Sequence, residues 1–183
     1  MKRAILLLSM IFFCFFVTGC QGTKEVLKEV STQWKANGRE YGEELVYEQG
    51  QTAQTAFFDV TINQVTAAEE IEGYVPENSE HQFAIVNVTI KNTFEDFDSI
   101  PMFCDDFELT WEALEGETTF PEYQFYDEQL PDEYSLKYGE SRTGNLVFIV
   151  PKDVYTYQMK YFEMWDDNFI GNTYYINFSL PKE

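Results

Sequence analysis

From about residue 43 onward, apolar and polar residues alternate in short runs with a period of two, the pattern of strands that bury one face. Residues 44–47 read as a short first strand. Phe58, Val60 and Ile62 then alternate with Asp59, Thr61 and Asn63. The strongest strand is 83–91, where Ala84, Val86, Val88 and Ile90 share one face and β-branched residues dominate. Asn92 and Thr93 follow as turn formers. Further strands are predicted at 99–104, 106–114, 143–150, 155–162 and 173–180. In 106–114, Phe107, Leu109 and Trp111 fall on one face, with Glu108, Thr110 and Glu112 on the other. Leu146, Phe148 and Val150 alternate before Pro151 ends its strand. No sustained helical period and no internal repeat interrupts the series. Seven or eight short strands over 41–183 predict an all-β, antiparallel sandwich.

The N-terminus has a different pattern. Lys2 and Arg3 precede an apolar run from Ala4 to Phe16, too short for a comfortable span of about 20 residues but suited to a signal-peptide core. The run ends in Val17-Thr18-Gly19-Cys20, which resembles the lipobox of bacterial lipoproteins. That resemblance implies a diacylglyceryl group on the Cys20 thiol and cleavage before it, so that residues 1–19 form a lipoprotein signal peptide. Residues 20–40 then read as the lipidated cysteine and a polar, flexible tether. Two lipid chains suffice for stable anchoring, so the expected location is the extracytoplasmic face of the cell membrane.

Charge adds a constraint. The 183 residues carry 12 Lys+Arg against 32 Asp+Glu, a net −20. Loss of residues 1–19 removes two bases and no acid, which leaves 164 residues at −22. A surface this acidic argues against nucleic acid, whose phosphates need basic patches. Aromatic residues make up 17% of the chain, too many for a disordered acidic tail. Fourteen carboxylates lie within residues 92–136, without one Lys or Arg. A solvated acidic face is the plain reading of this stretch. The sharper one places Asp96, Asp98, Asp105 and Asp106 near a strand connection as oxygen ligands for Ca²⁺, although no EF-hand spacing is present. Asp166-Asp167-Asn168 is a second acidic turn.

Catalytic chemistry finds little support. His81 is the only histidine, and its place at a strand start predicts a solvated edge. Cys104 is the one cysteine left after lipidation of Cys20; beside Met102 and Phe103 it reads as a small buried hydrophobe rather than a reactive thiol. No disulfide is available to the domain. Nucleophile-elbow, phosphate-loop, dinucleotide and zinc-protease motifs are absent, and carboxylate pairs are too numerous to single out a glycosidase site. The sequons at Asn87 and Asn177 lie in predicted strands and read as chance. Rings crowd the C-terminus, from Tyr155 to Tyr175, and any surplus beyond core packing would form a contact surface.

Three stretches carry a family resemblance: residues 57–62, residues 84–92, and Tyr138-Gly139-Glu140 continuing through 144–151. Together they resemble the C-terminal domain of small Gram-positive lipoproteins classed as a domain of unknown function. That family is sometimes mislabelled a telomeric-repeat-binding factor. It is grouped with an immunoglobulin-like fold named after an immunoprotective extracellular mycobacterial antigen. The likeness spans roughly 41–180 and implies an immunoglobulin-like sandwich outside the cell, tethered by lipid, with no catalytic residues to carry over. The function expected is therefore a non-enzymatic binding module of the cell envelope, with a cationic protein or polymer as partner. The alternative is an accessory lipoprotein that binds a small ligand or a divalent cation. Fractionation of cells expressing Cys20→Ala tests the anchor: the variant is expected to leave the membrane fraction, and normal processing with retention there contradicts the lipobox reading.

Overall fold

The two-residue alternation builds two facing sheets. The structure, a computed structural model, describes residues 42–112, 118–164 and 170–182. By its contacts the chain divides into two units, Met1–Tyr41 and Gly42–Glu183. The signal segment, Cys20 and the tether lie outside the described residues, as do Glu115, Glu117 and the Asp166-Asp167-Asn168 turn.

In chain order the strands are β1 (Glu44–Glu48), β2 (Thr52–Gln54), β3 (Phe58–Ala68), β4 (His81–Asn92), β5 (Ser99–Phe103), β6 (Glu108–Thr110), β7 (Glu133–Lys137), β8 (Ser141–Pro151), β9 (Thr156–Met164) and β10 (Ile170–Ser179). A 3₁₀ turn, η1 (Cys104–Asp106), separates β5 from β6. One sheet runs β1-β10-β9-β6 and faces a second, β2-β3-β4-β8; β5 and β7 form a two-stranded sheet. The all-β sandwich is as the sequence predicts, with three differences. Ten strands are present among the described residues, rather than seven or eight. The pairing is antiparallel except for β1, which runs parallel to β10. The strand expected at 106–114 contracts to three residues, because the chain first coils through η1.

The inner faces are those the alternation marked. Ala84, Val86, Val88 and Ile90 are fully buried, and Tyr157, Met159 and Tyr161 of β9 meet them with Tyr174, Ile176 and Phe178 of β10. In β3 the register slips between Ile62 and Gln64. This bulge places one extra residue in the strand, so Ile62 and Val65 both point inward although three apart. The freed Asn63 amide donates to Asn87 Oδ1 and Thr89 Oγ1, each at 2.9 Å. Asn87 in turn donates to Asn145 Oδ1 at 2.8 Å, so this sequon asparagine belongs to an amide ladder across three strands.

Sheet two is covered on its outer face as well. Phe83 and Val147 are buried there with Ile71, and Phe125 and Tyr126 pack over them. The acidic 118–130 segment thus places two of its rings, Phe125 and Tyr126, on the outer face of β4 and β8, while Phe120 and Tyr123 stay exposed. Gln129, nearly buried, holds that segment in place by donating to the Glu122 carbonyl and accepting from the Phe125 N–H. His81 departs from the solvated edge expected of it. It is half-buried opposite Pro151, and its Nδ1 is shielded from solvent with no hydrogen-bond partner.

Two buried polar side chains tie elements together. Asn92 is fully buried at the end of β4. Its amide donates to the Leu136 carbonyl at 2.9 Å and its Oδ1 accepts from the Phe94 N–H at 2.8 Å. Its own backbone N–H and carbonyl bond the 139–140 turn, where Gly139 supplies the positive φ of +77° that the turn needs. Glu163 of β9 is the second. Its Oε1 accepts the Ala56 N–H at 2.7 Å and the Tyr174 hydroxyl at 2.5 Å, while Oε2 accepts the Asn172 N–H at 3.0 Å. Ala56 belongs to the β2–β3 connection, so this carboxylate joins the two sheets at one rim. Gly171 is required beside it, because a Cβ there would lie 2.3 Å from Oε2.

Candidate functional site

At the same rim an open groove of about 400 Å³ lies between β3, β5, η1 and β9. Its walls are aromatic. Phe57 and Phe94 meet edge to face with centroids 5.3 Å apart, and Phe94 stacks on Phe97 at 5.5 Å. Phe103 and Phe162 continue the lining, with Met164 at the end of β9. Phe58 and Tyr161 form the floor, packed at 4.8 Å. Phe97, Phe103 and Met164 are exposed, at 60%, 37% and 52%, which makes this an accessible apolar surface rather than a sealed part of the core.

Each wall has a local cause. Asn92 ends β4, and Phe94 and Phe97 lie in the turn that follows. The Glu163 joint holds the Ala56–Phe57 connection against β9. η1 then folds Asp106 back towards β5, where its carboxyl lines the groove. Although Asp106 as a whole retains solvent access, shielding of its carboxyl by the surrounding groups pushes its pKa from 3.8 up to about 6. The neighbouring Asp105 adds to this, and a hydrogen bond from the Phe103 backbone partly offsets it. No base pairs with Asp106 among the described residues.

The four predicted oxygen ligands do not form one cluster. Asp96 and Asp98 sit in the turn before β5, whereas Asp105 and Asp106 sit in η1 after it. The five residues of β5 intervene, about 16 Å of extended chain. Among the described residues no three His, Cys, Asp or Glu side chains converge as a metal site. Cys104 is buried, and desolvation with Asp132 and Asp105 nearby pushes its thiol up to about 11, so it stays protonated and packs as an apolar side chain. Within the acidic stretch Glu108 finds its counter-charge from β9, 2.9 Å from Lys160 Nζ. The C-terminal rings are mostly core. Exposed rings occur at several places, among them Tyr74, Phe120, Tyr123 and Tyr138, and at this rim Phe97 and Phe103 join the half-buried Phe57 and Phe94; a pair of phenylalanines three apart in a polar turn was the signal available for the rim.

Comparison with known proteins now places the domain. The model of a domain of unknown function, DUF4352, matches residues 47–170. The chain belongs to this family. DUF4352 supplies no activity, and no curated protein matches the chain in sequence. Among solved structures, the chain is similar to ycdA, a candidate lipoprotein of Bacillus subtilis, at 19% identity and a TM-score of 0.56. That match covers 72% of this chain but 38% of ycdA, so the chain spans well under half of that protein's length. The yjhA protein of the same organism matches at 18% identity and 0.52, over 74% of this chain and 99% of yjhA. The secreted protein MPT63 of Mycobacterium tuberculosis matches at 11% and 0.51, over 72% of this chain and 97% of its own. At these identities the likeness is one of fold, and it agrees with the sandwich. No helix among the described residues is long and apolar enough to cross a membrane.

The raised Asp106 pKa has a stability consequence. The folded carboxyl holds its proton more tightly than the unfolded one, so ionising it costs stability above pH 6. That cost fades as pH falls through 6 and is gone below 3.8, where both states are protonated. Urea unfolding should therefore find Asp106→Asn more stable than wild type at pH 7.5, by about 1 kcal/mol after allowance for solvent screening. The difference should close near pH 4. Equal stability at pH 7.5 contradicts the shielded carboxylate.

Proposed function

We propose that this chain is a lipid-anchored, extracytoplasmic binding module of the cell envelope that performs no catalysis. The observation that carries this reading is the open aromatic groove at one rim of a rigid sandwich: apolar surface is accessible there on a domain that has sufficient core elsewhere. Aromatic side chains dominate binding hot spots, and loops held by a β-scaffold are where such folds place recognition. The lipobox-like Val17-Thr18-Gly19-Cys20 supports attachment through Cys20. The candidate lipoprotein and the secreted protein among the structural neighbours support a location outside the cytoplasm. A net charge of −20 favours a cationic protein or polymer as partner and a fast, salt-sensitive encounter. Membrane attachment comes from the lipid, and nucleic acid is no partner for this surface.

The alternative, a divalent-cation accessory protein built on Asp96, Asp98, Asp105 and Asp106, has weaker support because β5 separates the two pairs. It predicts a thermal shift with millimolar Ca²⁺ beyond that of NaCl at equal ionic strength. For the binding-module reading, envelope extract is passed over the immobilised soluble chain from Gln21 to Glu183. Retention of a cationic protein or wall fragment at low salt, with release by added NaCl, is expected. No retention above that of an equally acidic control protein contradicts the reading.

A further inference from the structure

One charged side chain lines the groove, and Lys160, paired with Glu108, lies against the Phe162 ring 5.2 Å from its centroid. Asp106 is the only carboxylate lining it, and no Lys, Arg or His lines it among the described residues. The other polar side chains there are Ser99 and the Tyr161 phenol, the latter kept protonated by burial. Everything else in the lining is aromatic or aliphatic.

Different occupants meet this chemistry differently. A neutral apolar ligand would cover the Asp106 carboxylate and strip its hydration without replacing it, which is unfavourable. An anion would face both Asp106 and the Asp105 beside it. A hard divalent cation seeks roughly six to eight oxygen ligands, and this groove offers one carboxylate, one hydroxyl and one phenol. An organic ammonium ion satisfies both halves of the lining. Its alkyl groups bury against the rings, its charge is attracted by their faces, and the unpaired carboxylate neutralises it. We propose that this groove binds a small organic ammonium cation, with Asp106 as the counter-charge and Phe57, Phe94, Phe97 and Phe103 as the aromatic walls. The volume of about 400 Å³ falls within the range of small-molecule sites. The inference deepens the binding-module reading and rests on it.

The test is an NMR titration of the ¹⁵N-labelled full chain in octyl glucoside, a detergent without a choline headgroup, at 150 mM NaCl. The probes are choline and its neutral carbon isostere, 3,3-dimethyl-1-butanol. Choline should shift the amides of Phe94, Phe97, Phe103 and Met164 saturably, with a Kd on the order of 1 mM. The alcohol should bind roughly tenfold more weakly or worse. Asp106→Asn should weaken choline by a similar factor and leave the alcohol unchanged. Glu77→Gln removes an exposed charge at the far end of the β3–β4 hairpin and should change neither. Equal affinity for choline and the alcohol assigns the groove to neutral ligands and overturns the proposal. So does choline binding that survives Asp106→Asn, or that is weakened as much by Glu77→Gln, which marks it as diffuse attraction to an acidic protein. Absence of shifts at the groove overturns it too. In each of these cases salt-sensitive retention of an envelope partner still supports the module, whereas its loss fails the broader reading.

Discussion

A buried carboxylate, with no cation beside it among the described residues, joins the two sheets at one rim, and the groove depends on it. Glu163 leaves water because three donors replace it: the Ala56 and Asn172 backbone N–H groups and the Tyr174 hydroxyl. Hydrogen bonds to an ionised acceptor are roughly twice as strong as neutral ones, and the buried Tyr174 hydroxyl would be left without its acceptor if the carboxylate were lost. Burial and the hydrogen bond to this carboxylate raise the Tyr174 pKa, so the phenol remains a donor throughout the physiological range. The backbone had to be shaped for this. Gly171 clears space for Oε2, and Gly42 passes so close to the Gly171 carbonyl that no Cβ fits there. The chain therefore enters the domain, pairs β1 with β10 and fixes the Phe57 wall within one small region.

The rest of the core is held by plainer means. Every strand of both main sheets contributes inward side chains to one cluster, or packs half-buried ones against it. The outer face of β4 and β8 is closed by Phe125 and Tyr126. Within 92–136, which holds fourteen carboxylates, Phe107 is buried and Phe125 and Tyr126 are partly buried, whereas Phe97, Phe103, Phe120 and Tyr123 stay exposed. Glu108 is neutralised by Lys160, and Glu95 accepts a hydrogen bond from the Tyr138 hydroxyl at 2.8 Å. Asp106 lines the groove among its rings, and no base pairs with it among the described residues. Its position among the rings is what singles out the groove.

Much of the fold was legible in the chain. The inward faces of β3, β4, β8 and β9 follow directly from alternation, since a strand that buries one face must repeat every two residues. β2 and β7 were not legible. Thr52–Gln54 is too short to show a period, and Glu133–Lys137 is polar enough to read as loop, with Leu136 alone buried among its positions. The parallel β1–β10 pair depends on chain ends meeting across 120 residues and more, which no local pattern encodes. The site was less legible still. Asp96, Asp98, Asp105 and Asp106 look alike as carboxylates in turns, and only the 3₁₀ turn at Cys104–Asp106 separates Asp106 from the others by folding it among rings. Glu163 lies just beyond the strand predicted at 155–162; in β9 it shares parity with Tyr157, Met159 and Tyr161 and lies on their buried side.

The central claim is that the Glu163 joint fixes the rim on which the groove is built. Amide hydrogen exchange of the Ala56 and Asn172 N–H groups, in wild type and in Glu163→Gln, tests it most directly. In wild type both amides should be protected nearly as well as core amides such as that of Val86, because their acceptor is buried and opens only with the sheets. In Glu163→Gln one oxygen becomes an NH2 donor while the other still accepts, so one of the two amides, Ala56 or Asn172, faces a donor and should lose protection, with a global cost of about 2–3 kcal/mol. Free-peptide exchange of Ala56 and Asn172 in wild type, or unchanged protection in the variant, contradicts the account.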